Sequence, residues 1–461
     1  VATTDSPLDE PAAESSTTSP ARALGWWDAT SLTAPARTVS FDVSSTANPA
    51  VAYLLAERPR RSPLRPGLIV PWALVVLVIA AYCTTMAVWP LTAVAPQVVS
   101  ATVQPVTAQA ASLTWPKKGA AGVGVEGLGD AVASTSDQSS IASITKVVTA
   151  LMVLEKSPVT KKDQGEEFRF TYADTLEYWN YLRNNESALD VPAGGSLTEY
   201  QMLEGMLVGS ASNYAARLAS NWWSSDWTFA TAANAWLDAR GISGITITDP
   251  TGFDHGNTAT PAALIDVAEL AMADSTIAGI VKQKKITLPG AGEVANTNEL
   301  LSDAGVVGLK TGTLDGYDLL SVKNVTIGDT TVRVVASVLN QPDSKTRWSV
   351  SRDVLAQVEA QLKASPSVPA GTTVGTVHTR WGETVPIVTA AQADVVLWNG
   401  ASAKVSSTLK LGDWSAGAKA GTLSAAGPVN TTTVDATLSA DLEGPGFWWR
   451  LTHPLDLLGI G

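Results

Sequence analysis

From Pro66 to Pro116 the chain contains no Asp, Glu, Lys or Arg, and this absence of charge constrains its fold more than any other feature. Inside it, Leu68 to Trp89 reads LIVPWALVVLVIAAYCTTMAVW. As a helix this run spans roughly 33 Å at about 1.5 Å per residue, enough to cross the hydrocarbon core of a bilayer. Pro71 then falls in the first turn, where proline is tolerated. Arg58, Arg60, Arg61 and Arg65 precede the run, whereas the first cations after it are Lys117 and Lys118. Positive charge collects on the cytoplasmic side of a membrane segment, so residues 1–66 are expected in the cytoplasm, 67–89 in the membrane and the rest outside. A signal peptide cleaved near Ala93-Val94-Ala95 is the competing reading; the long segment ahead of the run and the run's own length favour an uncleaved anchor. Cys83, within the run, reads as a small buried hydrophobe.

The remaining composition narrows the chemistry. With 43 acidic against 31 basic residues in 461, the net charge of −12 argues against a nucleic-acid partner, which needs clustered Lys and Arg. A 45% hydrophobic and 16% charged chain of this length has room for two or three folded domains. A single cysteine excludes an intramolecular disulfide framework, and the three histidines, His255, His378 and His453, are far apart in sequence. Catalysis through a His triad or a His-metal cluster is therefore disfavoured.

Texture changes along the chain suggest boundaries. Residues 1–66, rich in Ala, Ser, Thr and Pro, read as a disordered tail with Trp26-Trp27 as its one conspicuous feature. Residues 90–114 read as an extended linker. From 115 to 364 helical and strand patterns mix. Ala142 to Leu154 is apolar nearly all round and reads as a buried helix. Helices also fit Thr198–Val208, Asn213–Ala219, Pro261–Ala271 and Ser344–Leu362, and strands fit Gly305–Leu309, Leu319–Val325 and Thr331–Leu339. The pattern implies a mixed α/β domain with a mostly antiparallel sheet covered by helices. Residues 365–461, with short Val/Thr runs between turn signals, read as a small β domain closed by a strand at Phe447–Leu451.

Three short motifs could carry chemistry. Ser143-Ile144-Thr145-Lys146 opens the buried helix, where a three-residue spacing puts the hydroxyl and the amine on one face. An amine desolvated there can act as a base toward the serine. The same pattern recurs at Ser407–Lys410, in a stretch read as a structural strand. Ser210-Ala211-Ser212-Asn213 follows an apolar helix. Lys310-Thr311-Gly312-Thr313 ends an apolar strand, where a cation and hydroxyls at a sheet edge can receive a carboxylate.

Singly these are weak signals, but S-x-x-K, a serine motif and K-T-G in that order are the signature of class A β-lactamases and penicillin-binding proteins. With IASITKVVTALMVLE, MLEGMLVGSASNYAARLA, DPTGFDHGNTAT, NTNELL and VVGLKTGT, residues 115–363 resemble the D-alanyl-D-alanine carboxypeptidases among low-molecular-weight penicillin-binding proteins. The resemblance implies the three-layer sandwich of penicillin-binding proteins and serine β-lactamases, with a helical subdomain and a C-terminal β domain. It implies Ser143 as the acylated nucleophile, Lys146 as its base and Ser210 as a proton relay to the leaving D-alanine. Lys310, with Thr311, Gly312 and Thr313, would receive the substrate's carboxylate, and the N–H groups of Ser143 and Thr313 would form an oxyanion hole. Peptidoglycan stem peptides and β-lactams would be the partners, with no metal or organic cofactor. One position departs from the family: Ser212 stands where the resemblance expects an Asn that holds the substrate's peptide chain, a hydroxyl is shorter than an amide, and the adjacent amide, Asn213, could take that substrate-binding role only if the local backbone turned. A non-catalytic wall-binding or β-lactam-sensing protein is the alternative that this departure raises. A class A β-lactamase fits less well, because no Glu occurs between Glu204 and Glu269 to serve deacylation.

Overall fold

In the strand Thr330–Gln341, Val334, Ala336 and Val338 join one apolar core while Val335 and Leu339 join another. Successive side chains of a strand point to opposite faces, so the sheet containing this strand is covered on both sides. The computed structural model describes residues 66–363 and 367–460; the tail read as disordered, with Trp26-Trp27, lies outside them. Five strands form the central sheet: β1 (Ala120–Val125), β2 (Val132–Ala133), β3 (Val306–Thr313), β4 (Tyr317–Ile327) and β5 (Thr330–Gln341). Their order is β3-β4-β5-β1-β2, and every neighbouring pair is antiparallel. This is the antiparallel sheet covered by helices that the sequence pattern implied.

Helix α9 (Ser344–Lys363) covers one face through Val354, Leu355, Val358 and Leu362. The helical layer on the other face includes α2 (Thr145–Lys156), α4 (Glu199–Val208), α5 (Ser212–Ser220) and α7 (Ala263–Ala273). Thr198 caps α4 reciprocally with Gln201, which fixes where the helix starts. Three helices of this domain escaped the sequence reading: α3 (Tyr172–Arg183), which has no fully buried residue to give it a clear apolar stripe, α6 (Asp226–Asp238) and the short α8 (Ser275–Val281).

Helix α1 (Pro66–Val88) is long and apolar enough to cross a membrane, and Ile69, Trp72, Leu74 and Leu77 expose their side chains. It begins two residues earlier than expected, so Pro71 stands in the second turn rather than the first and costs a backbone bond there.

Residues 90–114, expected as a free spacer, supply two strands to the C-terminal domain. Gln97–Ser100 pairs with Thr373–His378, and Val106–Thr107 pairs with Ser402–Leu409, at opposite edges of a seven-stranded sheet. Val98, Val103 and Val106 pack on that domain's core, so the apolar side chains of this segment are used for packing and not for reach. The closing strand expected at Phe447–Leu451 is instead two short helices, α10 (Phe447–Thr452) and α11 (Pro454–Leu458). Pro454 opens the second, a position that suits its fixed backbone angle. The pair packs on Met86, Trp89 and Val94, with Tyr82 donating to the Leu451 carbonyl and Trp89 to that of Leu457.

Candidate active site

The segment leading into α2 turns sharply. Ala142–Ile144 forms a 3-10 turn, and Ala142 has φ +46°, in the left-handed region that residues with a Cβ seldom enter. Gly252 lets this turn approach: a Cβ there would meet the Ala142 carbonyl oxygen at 1.9 Å. Lys146, one turn further along the same face, brings Nζ to 2.8 Å from Ser143 Oγ.

Lys146 is fully buried. Its ammonium reaches the Thr251 carbonyl at 2.6 Å and Ser212 Oγ at 3.2 Å. Burial brings its pKa down to about 7, against the pull of the Asp249 and Glu186 carboxylates. An amine titrating near neutrality can take the proton of Ser143. Asp249 also holds the neighbouring loop in shape, accepting from the backbone N–H groups of Thr251, Gly252 and Asp254 and from the Asn257 amide. Burial raises its pKa, but these bonds and the Thr251 hydroxyl outweigh it and hold the carboxyl below its ordinary value.

The chain breaks between α4 and α5 at Ser210, which has φ +63°. The break directs two hydroxyls to two lysines. Ser212 Oγ faces Lys146, and Ser210 Oγ lies 2.8 Å from Nζ of Lys310. Lys310 is also fully buried and donates to the Thr311 carbonyl. Burial, reinforced by Lys146 and Arg347, pushes its pKa well below that of a free lysine. Such strained residues, held in place by surrounding contacts, gather at functional sites.

Strand β3 closes the site beside the nucleophile. A Cβ on Gly312 would meet the Ile141 carbonyl oxygen at 2.7 Å, so only glycine lets β3 lie this near Ser143. Thr311 Oγ1 is 2.7 Å from Thr297 Oγ1, and Thr313 is exposed at the strand's end. Asn213, expected beside the substrate as the replacement amide, is turned away: Nδ2 donates to the Leu189 carbonyl and Oδ1 accepts from the Leu189 N–H. Both halves of its amide are thus committed to holding a loop.

Two further charged residues border the cluster without belonging to any motif. Arg347 of α9, buried, donates to the Gly312 carbonyl at 3.0 Å and to Thr313 Oγ1 at 3.4 Å. A cation in a helix's first turn opposes the helix dipole, and that was the available hint of a partner elsewhere. Glu186, in the loop after α3, acts on Lys146 through its charge, and burial lifts its own carboxyl to about 7. No periodicity or spacing in the sequence singles it out. His255 is exposed and pairs with Asp315 at 2.8 Å.

Ser407 and Lys410 fall on and just beyond the strand Ser402–Leu409 of the C-terminal sheet, where a three-residue spacing points side chains to opposite faces. Cavities of about 590 Å³ lie beside Trp398 and beside Lys363, but neither contains any of the motif residues.

Residues 132–343 match the family model described as D-alanyl-D-alanine carboxypeptidase. Among solved structures, a Streptomyces DD-transpeptidase is similar at 25% identity, covering 53% of this chain and 98% of that one with a TM-score of 0.47. A Listeria monocytogenes penicillin-binding protein in its ampicillin-bound form is similar at 22% identity, covering 52% of this chain and 96% of that one with a TM-score of 0.43. Comparison with curated proteins gave no match.

Proposed function

From residues 132–343 belonging to the D-alanyl-D-alanine carboxypeptidase family, we infer that this chain is a serine-type D-Ala-D-Ala carboxypeptidase that removes the terminal D-alanine of peptidoglycan stem peptides. The observation that carries the reading is the contact between Ser143 and the fully buried Lys146, whose amine titrates near neutrality. Ser143 attacks the peptide carbonyl while Lys146 takes its proton, giving an acyl-enzyme and free D-alanine. Ser210, bonded to Lys310, returns a proton to the leaving amine. Lys310 lies on β3 with Thr311, Gly312 and Thr313, and together they receive the terminal carboxylate. The N–H groups of Ser143 and Thr313 hold the oxyanion. A β-lactam offers an equivalent carbonyl and acylates the same serine.

The chain acts outside the membrane, with α1 as its anchor and residues 1–66 in the cytoplasm. Exposed Phe447, Trp448, Leu455 and Leu458, on helices packed against the end of α1, support a seat at the lipid interface. Incubation with a pentapeptide ending in D-Ala-D-Ala tests the activity: released D-alanine is expected. Penicillin labelling without release would favour the sensing alternative. For topology, protease outside spheroplasts should digest the chain beyond residue 115 and spare the tail.

A further inference from the structure

Lys146 Nζ has three oxygen neighbours: the Thr251 carbonyl at 2.6 Å, Ser143 Oγ at 2.8 Å and Ser212 Oγ at 3.2 Å. A neutral amine meets them with two N–H groups and one lone pair. A hydroxyl can donate or accept, whereas a backbone carbonyl only accepts, so one N–H has to point at Thr251. With the second N–H on Ser212 Oγ, the lone pair is left for the hydroxyl of Ser143. We propose that Asp249 is the positioning residue of this base: its carboxylate holds the peptide group between Thr251 and Gly252 so that the Thr251 carbonyl faces Lys146, and that carbonyl turns the lone pair of the amine to Ser143. The inference rests on the reading of Ser143 as nucleophile and Lys146 as base, and deepens it.

The Thr251 carbonyl and the Gly252 N–H belong to one planar peptide group, and in a trans peptide they point in opposite directions. The Gly252 N–H donates to Asp249 Oδ1 at 2.8 Å, while the carbonyl at the other end of the plane receives Lys146. An anion at one end and an amine at the other thus fix and polarise the same group. Asp249 is buried, and further donors hold it in turn. Oδ1 also accepts from the Thr251 N–H and, at 2.6 Å, from the Thr251 hydroxyl; Oδ2 accepts from the Asp254 N–H and the Asn257 amide, each at 2.7 Å. Bonds of this charge-assisted kind are stronger than neutral ones. The turn is also gripped from α2. Thr149, three residues beyond Lys146, donates to the Pro250 carbonyl at 2.7 Å, so two side chains on one helix face receive two successive carbonyls.

This arrangement serves the proton transfer without rotation. As Ser143 Oγ bonds to the substrate carbonyl carbon, the carbonyl π pair moves to its oxygen and the Ser143 proton moves to the lone pair of Lys146. The ammonium so formed has three N–H groups for three oxygens. An amine free to turn would spend part of its time with an N–H toward Ser143, and no proton could then be taken.

The test uses the full chain and fluorescent penicillin, reading separately the acylation rate constant and the number of sites that finally take label. Asp249→Asn removes the anion and sets an amide N–H against the N–H donors of the turn. The rate constant should fall about 10²-fold while the number of labelled sites stays that of the wild type. Thr251→Val removes only the hydroxyl bonded to Asp249 and should slow acylation about 3- to 10-fold; Thr251→Ser, which keeps the hydroxyl, should recover most of that loss. Were Asp249 a stabilising residue alone, Asp249→Asn would label fewer sites at the wild-type rate per site, and that result overturns the proposal. Should Asp249→Asn fail to fold, the Thr251 pair decides: Thr251→Val slower than Thr251→Ser supports the positioning, and equal rates overturn it. Penicillin uptake without release of D-alanine by the wild type overturns the carboxypeptidase reading alone, whereas no uptake overturns both.

Discussion

Ser143–Lys146 and Ser407–Lys410 carry the same four-residue pattern, yet their surroundings have little in common. In the first, a helix with 3.6 residues per turn stacks the two side chains, and the core strips water from the amine. In the second, a strand of period two separates them, and Lys410 lies exposed past its end. A serine and a lysine three residues apart become a nucleophile and a base only where secondary structure aligns them and burial makes the amine reluctant to hold its proton. A second serine-bearing segment, Ser210 to Ser212, meets both Lys146 and Lys310.

Exchanging the two serines breaks this contrast most severely. Ser143→Ala should abolish labelling by penicillin and lower D-alanine release by about 10⁴-fold or more, while Ser407→Ala should leave both unchanged. Peptide mapping of the adduct reads this directly, and label on Ser407 would sink the assignment. The lysines come next. Lys146→Ala should cost about 10²- to 10⁴-fold in kcat/KM, whereas Lys410→Ala, at an exposed position, should change neither turnover nor stability beyond about 0.5 kcal/mol.

A pH profile sharpens the same point. Protonated Lys146 has no lone pair, so kcat/KM should fall as pH drops through about 7 and level off above it. A limb near the ordinary lysine value would show that the amine is not desolvated in solution. Gly312→Ala probes the wall of the site, since the added Cβ must displace the Ile141 carbonyl. A shift of β3 by a fraction of an ångström should lower kcat by about 10- to 100-fold with the fold retained by circular dichroism. The smallest effect belongs to Asn213. Asn213→Ala removes two bonds to Leu189 and should destabilise the protein by about 1–3 kcal/mol in denaturant melts, with a weaker effect on penicillin acylation than on stability.

Much of the site could be read along the chain because its parts are short and local. Ser143 and Lys146 share a helix face, Lys310 to Thr313 end a strand, and the apolar helix before Ser210 announces a break. The antiparallel sheet followed from two apolar runs, Leu319–Val325 and Thr331–Leu339, separated by a stretch short enough to pair them as a hairpin. Residues 90–114 misled because a Val/Thr/Ala segment carries equal β preference whether or not a sheet edge is available to pair with it. Phe447–Leu451 misled for a related reason. Five residues are too few for periodicity to separate a strand from a helical turn, and docking on Trp89 and Met86 decided the matter.

What the sequence determined by itself was the apolar span at Leu68–Trp89, the order of the three motifs and the apolar strand runs, all set by composition and spacing within a few residues. Tertiary structure alone decided that Ser212 faces Lys146 while Asn213 does not. It also decided that Arg347 lies beneath Gly312 and that the charge of Glu186, from a loop without a motif, acts on Lys146. These are contacts between segments distant in the chain, and their energies depend on burial and angle, which no local pattern encodes.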